Sequence, residues 1–271
     1  MKTQTTTGPA DAAAADDRTG PVRIGMLTPS SNTVLEPATA TLVAPIGDVA
    51  SVHFGRFRVT QIKLDAASNT QFEDGPILAA ADLLADAKPH VIAWNGTSAS
   101  WLGFKSDERL CGLVRDRTGV RATSAILGLN ALLKIFGVRR LGLVTPYTSA
   151  VQERIAANYA KAGMEIAGEA HSGLTDNFSF SRIAEAEVDR MCREVAAARP
   201  DAIAVVCTNM RGPFVAARIE REIGIPVFDS ISVTLWSALR LAGIDTTPLA
   251  GFGRLFAAVD RGDAPSASGG A

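Results

Sequence analysis

The chain has 271 residues, of which 47% are hydrophobic and 20% are charged, and this length allows two domains with substantial cores. Its formal net charge is −1 and its basic residues are scattered, which argues against nucleic-acid or membrane-surface binding and favours a small-molecule ligand. The longest apolar runs are far too short to span a membrane.

Residues 1–20 are rich in Ala, Thr and Asp. They lack the charged start and the continuous apolar stretch of a signal peptide, so we expect a disordered leader and a cytoplasmic protein. The cysteines at positions 111, 192 and 207 are an odd, widely spaced set. This spacing argues against a disulfide framework and agrees with a reducing compartment.

From residue 21 to residue 256, short apolar runs alternate with longer segments of helical periodicity, which is typical of βαβ units around a parallel sheet. The strands are predicted at 22–27, 49–56, 90–95, 140–145, 202–207 and 226–228. The helices are predicted at about 73–87, 106–117, 124–136, 148–162, 182–198, 211–222 and 231–242. Residues 257–271 are mostly small or polar, and we expect a disordered tail there.

Three segments of the chain occur twice. Residues 88–98 align without gaps on 199–209, 22–29 resemble 139–146, and 119–124 resemble 224–229. The repeat predicts two similar halves, each of them an open α/β unit around a parallel sheet. We place the first domain at 21–136, with about 231–256 packing back on it, and the second at 137–230. In such sheets, ligands bind beyond the carboxyl ends of the strands.

The first repeated strand end reads Asn-Gly96-Thr97-Ser98. At a turn from strand to helix, backbone N–H groups and two adjacent hydroxyls can hold a carboxylate or a developing oxyanion. The alternative is an ordinary turn whose hydroxyls cap the following helix.

The second repeated strand end carries the best candidate for a catalytic residue, Cys207, which aligns with Gly96. It ends an apolar run and precedes a predicted helix, whose N-terminal dipoles would favour a thiolate. The alternative is a buried structural cysteine. Cys111 and Cys192 lie inside predicted amphipathic helices, and we interpret them as packing residues.

Other polar residues follow the same strand ends: Asn32 in the first half and Tyr147 and Asn177 in the second. No glycine-rich dinucleotide or phosphate-binding motif is present, the three histidines show no metal-ligand spacing, and no serine lies in a Gly-x-Ser-x-Gly elbow. These absences argue against nicotinamide, nucleotide-triphosphate and metal sites.

Taken together, residues 22–256 resemble the aspartate/glutamate racemase superfamily, in the arylmalonate decarboxylase and maleate isomerase branch. Segments 96–103, 137–147 and 251–256 are similar to arylmalonate decarboxylase, whereas 29–33, 176–177 and 207–209 are similar to maleate isomerase. The resemblance implies an α/β fold of two pseudosymmetric open parallel-sheet domains, with helices on both faces of each sheet and the active site in the cleft between them. It also implies an enzyme that needs neither metal nor organic cofactor and acts on a small dicarboxylate. We expect a monomer or a small homo-oligomer.

The resemblance also implies a role for each candidate residue. Racemases and maleate isomerases of this superfamily carry one cysteine per half, whereas this chain has Gly96 at the first position, which favours decarboxylation of a malonate-like diacid. The groups expected to hold the substrate are Thr97, Ser98, Tyr147 and the backbone N–H near Thr208, and the maleate-isomerase-like motif adds Asn32, Asn177 and Asn209. Cys207 would protonate the enediolate.

Two other functions stay open at this point. One is isomerisation or racemisation of a small dicarboxylate, as in maleate isomerase or aspartate/glutamate racemase, and the other is a small-carboxylate binding protein without catalysis. The aromatic residues Trp94, Trp101 and Phe104 could line a pocket for an aryl group, although aromatic residues beside a parallel strand are more often part of the core.

Overall fold

The computed structural model describes residues 20–62, 64 and 74–258 of the chain. These residues form two four-stranded, all-parallel sheets with helices around them, which confirms the predicted α/β fold. Residues 1–19 of the predicted leader and 259–271 of the predicted tail lie outside the described residues.

The two sheets have the same strand order, so the sequence repeat is a repeat of topology. The orders are β2-β1-β3-β4 and β6-β5-β7-β8. The strands are β1 (Val22–Pro29), β2 (Ala50–Phe57), β3 (Val91–Trp94), β4 (Arg121–Ser124), β5 (Arg140–Thr145), β6 (Glu165–His171), β7 (Ala202–Val205) and β8 (Val227–Asp229). Strands β3 and β7, each next to the first strand of its half, are buried at every residue, as expected for parallel strands covered on both faces.

Helices connect the strands and cover the sheets. In chain order they are α1 (Leu35–Val43), α2 (Asp74–Ala85), α3 (Ala99–Leu102), α4 (Lys105–Thr118), α5 (Ala125–Ile135), α6 (Ser149–Lys161), α7 (Asn177–Phe180), α8 (Glu185–Ala196), α9 (Ala216–Ile223) and α10 (Ser230–Leu241). Helix α10 follows the last strand of the second sheet but packs against β3, β4 and α5 of the first half. After β8, the chain therefore returns from the second half to the first.

Two strands of the structure have no counterpart among the predicted ones. β4 is only four residues long, and β6 is half-exposed along most of its length with a glycine in the middle, so neither gives a clear apolar run. Helix α1 was not predicted either. The helix predicted from residue 211 begins as a 3₁₀ turn, Gly212–Phe214, and the α-helix itself starts only at Ala216.

No helix in the described ranges combines the length and the apolar character needed to cross a membrane.

Candidate active site

The carboxyl ends of β1, β3, β5 and β7 meet around a narrow cavity between the two sheets. Its volume is about 20 Å³, room for about one water molecule. Seven of the nine predicted site residues line it: Gly96, Thr97, Ser98, Tyr147, Asn177, Cys207 and Thr208. Asn32 and Asn209 lie in the buried layer next to this lining and contact it through hydrogen bonds.

Gly96 is held against an aromatic ring. A Cβ atom at this position would lie 1.8 Å from Cζ2 and 2.2 Å from Cε2 of Trp94. The ring is only 2% exposed and stacks at a tilt on Phe57, with 5.1 Å between the ring centroids. The indole of Trp94 therefore fills the space that a side chain at position 96 would need.

A chain of polar groups leads from the first half to the thiol. The hydroxyls of Thr97 and Tyr147 lie 2.7 Å apart and share a hydrogen bond, in which either group can be the donor. The Tyr147 hydroxyl also faces the sulfur of Cys207, where it counteracts the rise in the thiol's pKa. Burial raises the pKa of Tyr147 well above its usual value, so the phenol keeps its proton.

Cys207 is a neutral thiol in this environment. The residue is 4% exposed, and burial raises its pKa to about 12, although the backbone N–H of Asn209 (3.3 Å from Sγ), Tyr147 and the backbone N–H of Met210 oppose that rise. The expected N–H groups are present and lower the pKa of the thiol, but burial outweighs them and favours the protonated form. The loop after Cys207 leads into a 3₁₀ turn, and loss of solvation outweighs the nearby N–H groups.

Several donors at the cavity have no partner within the described part of the chain. The backbone N–H groups of Thr97, Ser98 and Thr208 donate no hydrogen bond there, and the hydroxyl of Ser98, a residue only 4% exposed, makes none either. Buried donors without partners are rare in proteins. This arrangement can hold an anion.

The predicted asparagines connect the two halves. The amide of Asn32 accepts from the backbone N–H groups of Val34 and Leu35 and donates to the carbonyl and the hydroxyl of Thr208, at 2.9 and 3.2 Å. Asn209 accepts from the N–H of Thr33 and donates to the carbonyl of Asn177.

The side chain of Asn177 donates to Ser31 at 2.8 Å, and the hydroxyl of Thr208 donates to the carbonyl of Asn95 at 2.9 Å. The side-chain amides of this network are occupied by protein partners in this closed cavity. The network fixes the position of the two strand ends relative to each other.

Removal of this link should lower stability. In Asn209→Ala, the carbonyl of Asn177 and the N–H of Thr33 lose their partners in a buried position, so we expect the free energy of unfolding to fall by about 2–4 kcal/mol. Urea denaturation followed by circular dichroism measures this loss. Asn130→Ala is the matched control, because the carbonyl oxygen of Asn130 has no partner in the described structure and little should change. Equal stability of both variants would contradict the role given to Asn209.

A methyl group at position 96 should be poorly tolerated. Because the Cβ of Gly96→Ala would overlap the buried Trp94 ring, we expect a loss of about 1–3 kcal/mol of stability, the usual cost of overpacking. Thermal and urea unfolding measure it. In Gly112→Ala, the added Cβ meets nothing within 4 Å, so this variant should be as stable as the parent protein or more so.

Trp94→Leu combined with Gly96→Ala separates a steric clash from a backbone effect. If the ring causes the loss, Gly96→Ala should lower the free energy of unfolding less in the Trp94→Leu background than in the parent protein. An unchanged cost in both backgrounds would show that Trp94 is not the obstacle.

Some lining residues were not predicted as site residues. Pro29, Val59 and Ile62 form apolar parts of the wall, together with Trp94 and Trp101. Val59 and Ile62 follow a strand in an irregular loop, so no pattern marked them. Phe104, the third aromatic residue considered for an aryl pocket, instead packs on Tyr159 at 5.0 Å between ring centroids.

The chain is similar to known proteins of two kinds, arylmalonate decarboxylases and maleate isomerases. The family model described as arylmalonate decarboxylase matches residues 25–256. The arylmalonate decarboxylase of Bordetella bronchiseptica is 31% identical over 169 residues, 61% of this chain and 70% of that protein. The maleate isomerase of Nocardia farcinica is 27% identical over 243 residues, 86% of this chain and 94% of that protein.

A solved structure of a mutant Nocardia farcinica maleate cis-trans isomerase, which carries a covalently bound succinylcysteine intermediate, superposes with a TM-score of 0.78 at 26% identity. The match covers 88% of this chain and 98% of that one.

Proposed function

Because the chain belongs to the arylmalonate decarboxylase family, we propose that it is a cofactor-independent decarboxylase of a malonate-like dicarboxylic acid. The observation that carries this proposal is a single neutral thiol, Cys207, in a cavity where Gly96 takes the matching position of the other half. Decarboxylation needs one proton donor and a place for the developing enediolate. Racemisation by two opposed bases needs a second acid or base, which Gly96 does not supply.

In the proposed reaction, one carboxylate of the substrate accepts hydrogen bonds from Thr97, Ser98, Tyr147 and the backbone N–H of Thr208. The bond between the α-carbon and the other carboxylate breaks, CO2 leaves, and the electron pair remains on the substrate as an enediolate. The Cys207 thiol then gives its proton to the α-carbon. The resulting thiolate regains a proton from water before the next turnover.

The leaving carboxylate would face the apolar part of the wall. Val59, Ile62 and Trp101 offer it no charged partner, and all three are at most 5% exposed. An apolar surrounding disfavours the carboxylate anion relative to neutral CO2, so this side of the cavity favours bond breaking. The hydroxyls and N–H groups stabilise the negative charge that develops on the bound carboxylate.

An isomerase or racemase acting on a small dicarboxylate is the second candidate. Its support is the similarity to a maleate isomerase over 86% of the chain, together with Asn177 in the lining of the Cys207 cavity and Asn32 on the adjacent Thr208. In this reaction, the asparagine amides would have to exchange protein partners for substrate carboxylates. Because position 96 is a glycine, the first half of the site has no nucleophile for this isomerisation.

We further propose two domains and a cytoplasmic location. The domains are 21–136 and 137–230, with 231–256 belonging to the first, and the packing of α10 against β3, β4 and α5 supports that assignment. The protein would act in the cytoplasm as a monomer or a small homo-oligomer on a small dicarboxylate, without a nucleic-acid or membrane partner.

The test is incubation of the purified protein, without added cofactor, with phenylmalonate, methylmalonate, maleate and aspartate in deuterated water. CO2 together with an α-deuterated monoacid supports the decarboxylase, fumarate supports the isomerase, and α-deuterated aspartate supports the racemase. If maleate or aspartate is converted and phenylmalonate and methylmalonate are not, the decarboxylase proposal fails. If none of these acids reacts but they bind, the protein is a binding protein.

A further inference from the structure

The carboxyl group of Asp107 is buried behind the wall of the Cys207 cavity. Asp107 lies in the first turn of α4, is 2% exposed and lines a second cavity of about 80 Å³, whose wall includes Trp94 and Ser98. Trp94 and Ser98 also line the Cys207 cavity and separate the two. The proposed reaction gives Asp107 no role, although acidic side chains are rarely buried this deeply unless they are paired.

Asp107 connects the ends of two neighbouring strands. Trp94, the last residue of β3, and Ser124, the last residue of β4, are paired in the sheet. The hydroxyl of Ser124 donates a hydrogen bond to Oδ2 of Asp107 at 2.5 Å. The indole N–H of Trp94 makes no complete hydrogen bond in the described ranges, but it interacts with the Asp107 carboxyl group, whose pKa it lowers. One carboxyl group therefore serves donors from both strand ends.

The Trp94 ring supports the turn that would hold the substrate carboxylate. The indole lies against Gly96, where a Cβ atom would be 1.8 Å from Cζ2 of the ring. The next two residues, Thr97 and Ser98, carry backbone N–H groups at the Cys207 cavity that have no partner in the described part of the chain. A misplacement of about 1 Å in groups that position a substrate can lower the rate by about 100-fold. The position of the ring therefore matters for the reaction.

We propose that Asp107 is a positioning residue of this active site: its ionised carboxyl group holds the Trp94 indole, and through the ring the turn at residues 96–98, in the arrangement that binds the substrate carboxylate. This inference rests on the proposed decarboxylation, because that reaction gives the turn its task. Asp107 contacts no reacting group and acts only through Trp94.

The charge of Asp107 decides how strongly it holds the ring. Burial raises the pKa of Asp107 to about 7, against the opposing effects of Ser124 and Trp94. A hydrogen bond to an ionised acceptor is about twice as strong as one to a neutral acceptor. The interaction with the indole N–H should therefore strengthen as the pH rises through this value and weaken as the pH falls.

Other ionisable groups surround Asp107. Burial and the charge of Asp107 raise the pKa values of Cys111 on α4 and Tyr159 on α6, so both stay protonated at neutral pH. The ion pair of Asp74 with Arg109 lies at the edge of the second cavity, and this pairing raises the pKa of Arg109. Asp107 is therefore the group of this cluster that we expect to titrate near pH 7.

The test follows the indole N–H signal of Trp94 in ¹⁵N-labelled protein by NMR during a pH titration. The chain has three tryptophans, and Trp94→Phe assigns the signal. We expect this signal and the backbone N–H signals of Thr97 and Ser98 to shift with one common midpoint near pH 7. In Asp107→Asn, which cannot ionise, these shifts should be absent. Asp116→Asn, an exposed substitution on the same helix, should behave as the parent protein does.

Decarboxylation kinetics measure the consequence for the reaction. In the parent protein, kcat/KM should rise by about 10-fold as the pH increases through 7, the difference between hydrogen bonds to a charged and to a neutral acceptor. The rise should lie mainly in kcat, because the turn acts on charge that develops during the reaction. Asp107→Asn should lack this step, whereas ionisation of the substrate affects both proteins equally. A variant that had only lost stability would keep the step.

The outcomes separate this proposal from the proposed reaction. A Trp94 signal that does not respond to pH in the parent protein, or that responds equally in Asp107→Asn, would overturn the proposal even if malonates are decarboxylated. A response of Trp94 without one of Thr97 and Ser98 would overturn it as well. If Asp107→Asn does not fold, the carboxyl ¹³C signal of Asp107 in the parent protein must share the midpoint of the Trp94 signal. Shared titration without any decarboxylation would refute only the proposed reaction.

Discussion

Replacement of Cys207 with alanine is expected to lower kcat/KM for the decarboxylated substrate by about 10²- to 10⁴-fold, the range in which a positioned general acid contributes. The physical reason is that the enediolate needs a proton at one face of the α-carbon, and the Cys207 thiol, with its pKa raised to about 12 by burial, carries that proton at neutral pH. The rate of CO2 release and deuterium incorporation at the α-carbon measure the loss. Both should fall together.

Cys111→Ala is the matched control for the loss of a thiol. Cys111 lies on α4 at 9% exposure and does not line the Cys207 cavity, so its removal should leave turnover near that of the parent protein. Cys207→Ser, in which a hydroxyl replaces the thiol, should also be strongly impaired. Near-full turnover by a folded Cys207→Ala protein would rule out the proposed mechanism.

The location of the site follows from the repeated strand ends. Gly96, Thr97 and Ser98 after β3, Tyr147 after β5 and Cys207 after β7 were predicted from their positions at strand ends, and the structure places all of them around one cavity. This part of the prediction depends only on local sequence and on the rule that parallel strands end at the same edge of a sheet. The fold class was predictable for the same reason.

The properties of the site that depend on packing were not predictable. The local sequence around Cys207 indicates N–H groups nearby, and these do lower its pKa, but the depth of burial decides the outcome and is set by distant residues such as Tyr147 and Ile62. The contact of Gly96 with the Trp94 ring likewise depends on a side-chain orientation that no spacing encodes.

The contacts of the asparagines could not be predicted from the sequence either. Asn32 and Asn209 were expected to bind substrate because of the motifs around them, and that role stays a prediction. In the structure, their amides bond to backbone groups of the opposite half or of neighbouring turns. Those partners are about 176 residues away along the chain in the case of Asn32 and Thr208, so only the fold brings them together.

The second large effect is expected for Tyr147→Phe, which removes one hydroxyl from the anion-binding side of the cavity. Loss of one such donor typically costs about 2.7–4 kcal/mol of transition-state stabilisation, so kcat should fall by about 10²- to 10³-fold. The ring itself should stay in place, because its edge contacts with Trp101 and Phe180, at 5.2 and 5.5 Å between centroids, do not involve the hydroxyl. Steady-state kinetics on the decarboxylated substrate measure the change.

The chain offers a matched control, because its other tyrosine, Tyr159, is also fully buried but its hydroxyl has no partner in the described structure. Tyr159→Phe should therefore leave kcat unchanged and should not destabilise the protein.

The separate effects of Tyr147→Phe on kcat and on KM show whether the hydroxyl acts in catalysis or in substrate binding. If Tyr147 stabilises charge that develops only as CO2 leaves, kcat falls and KM changes little, whereas a group that binds the ground-state carboxylate equally well would raise KM instead. A rise in KM alone would move Tyr147 from catalysis to substrate binding and leave Thr97, Ser98 and the N–H of Thr208 as the groups that stabilise the enediolate.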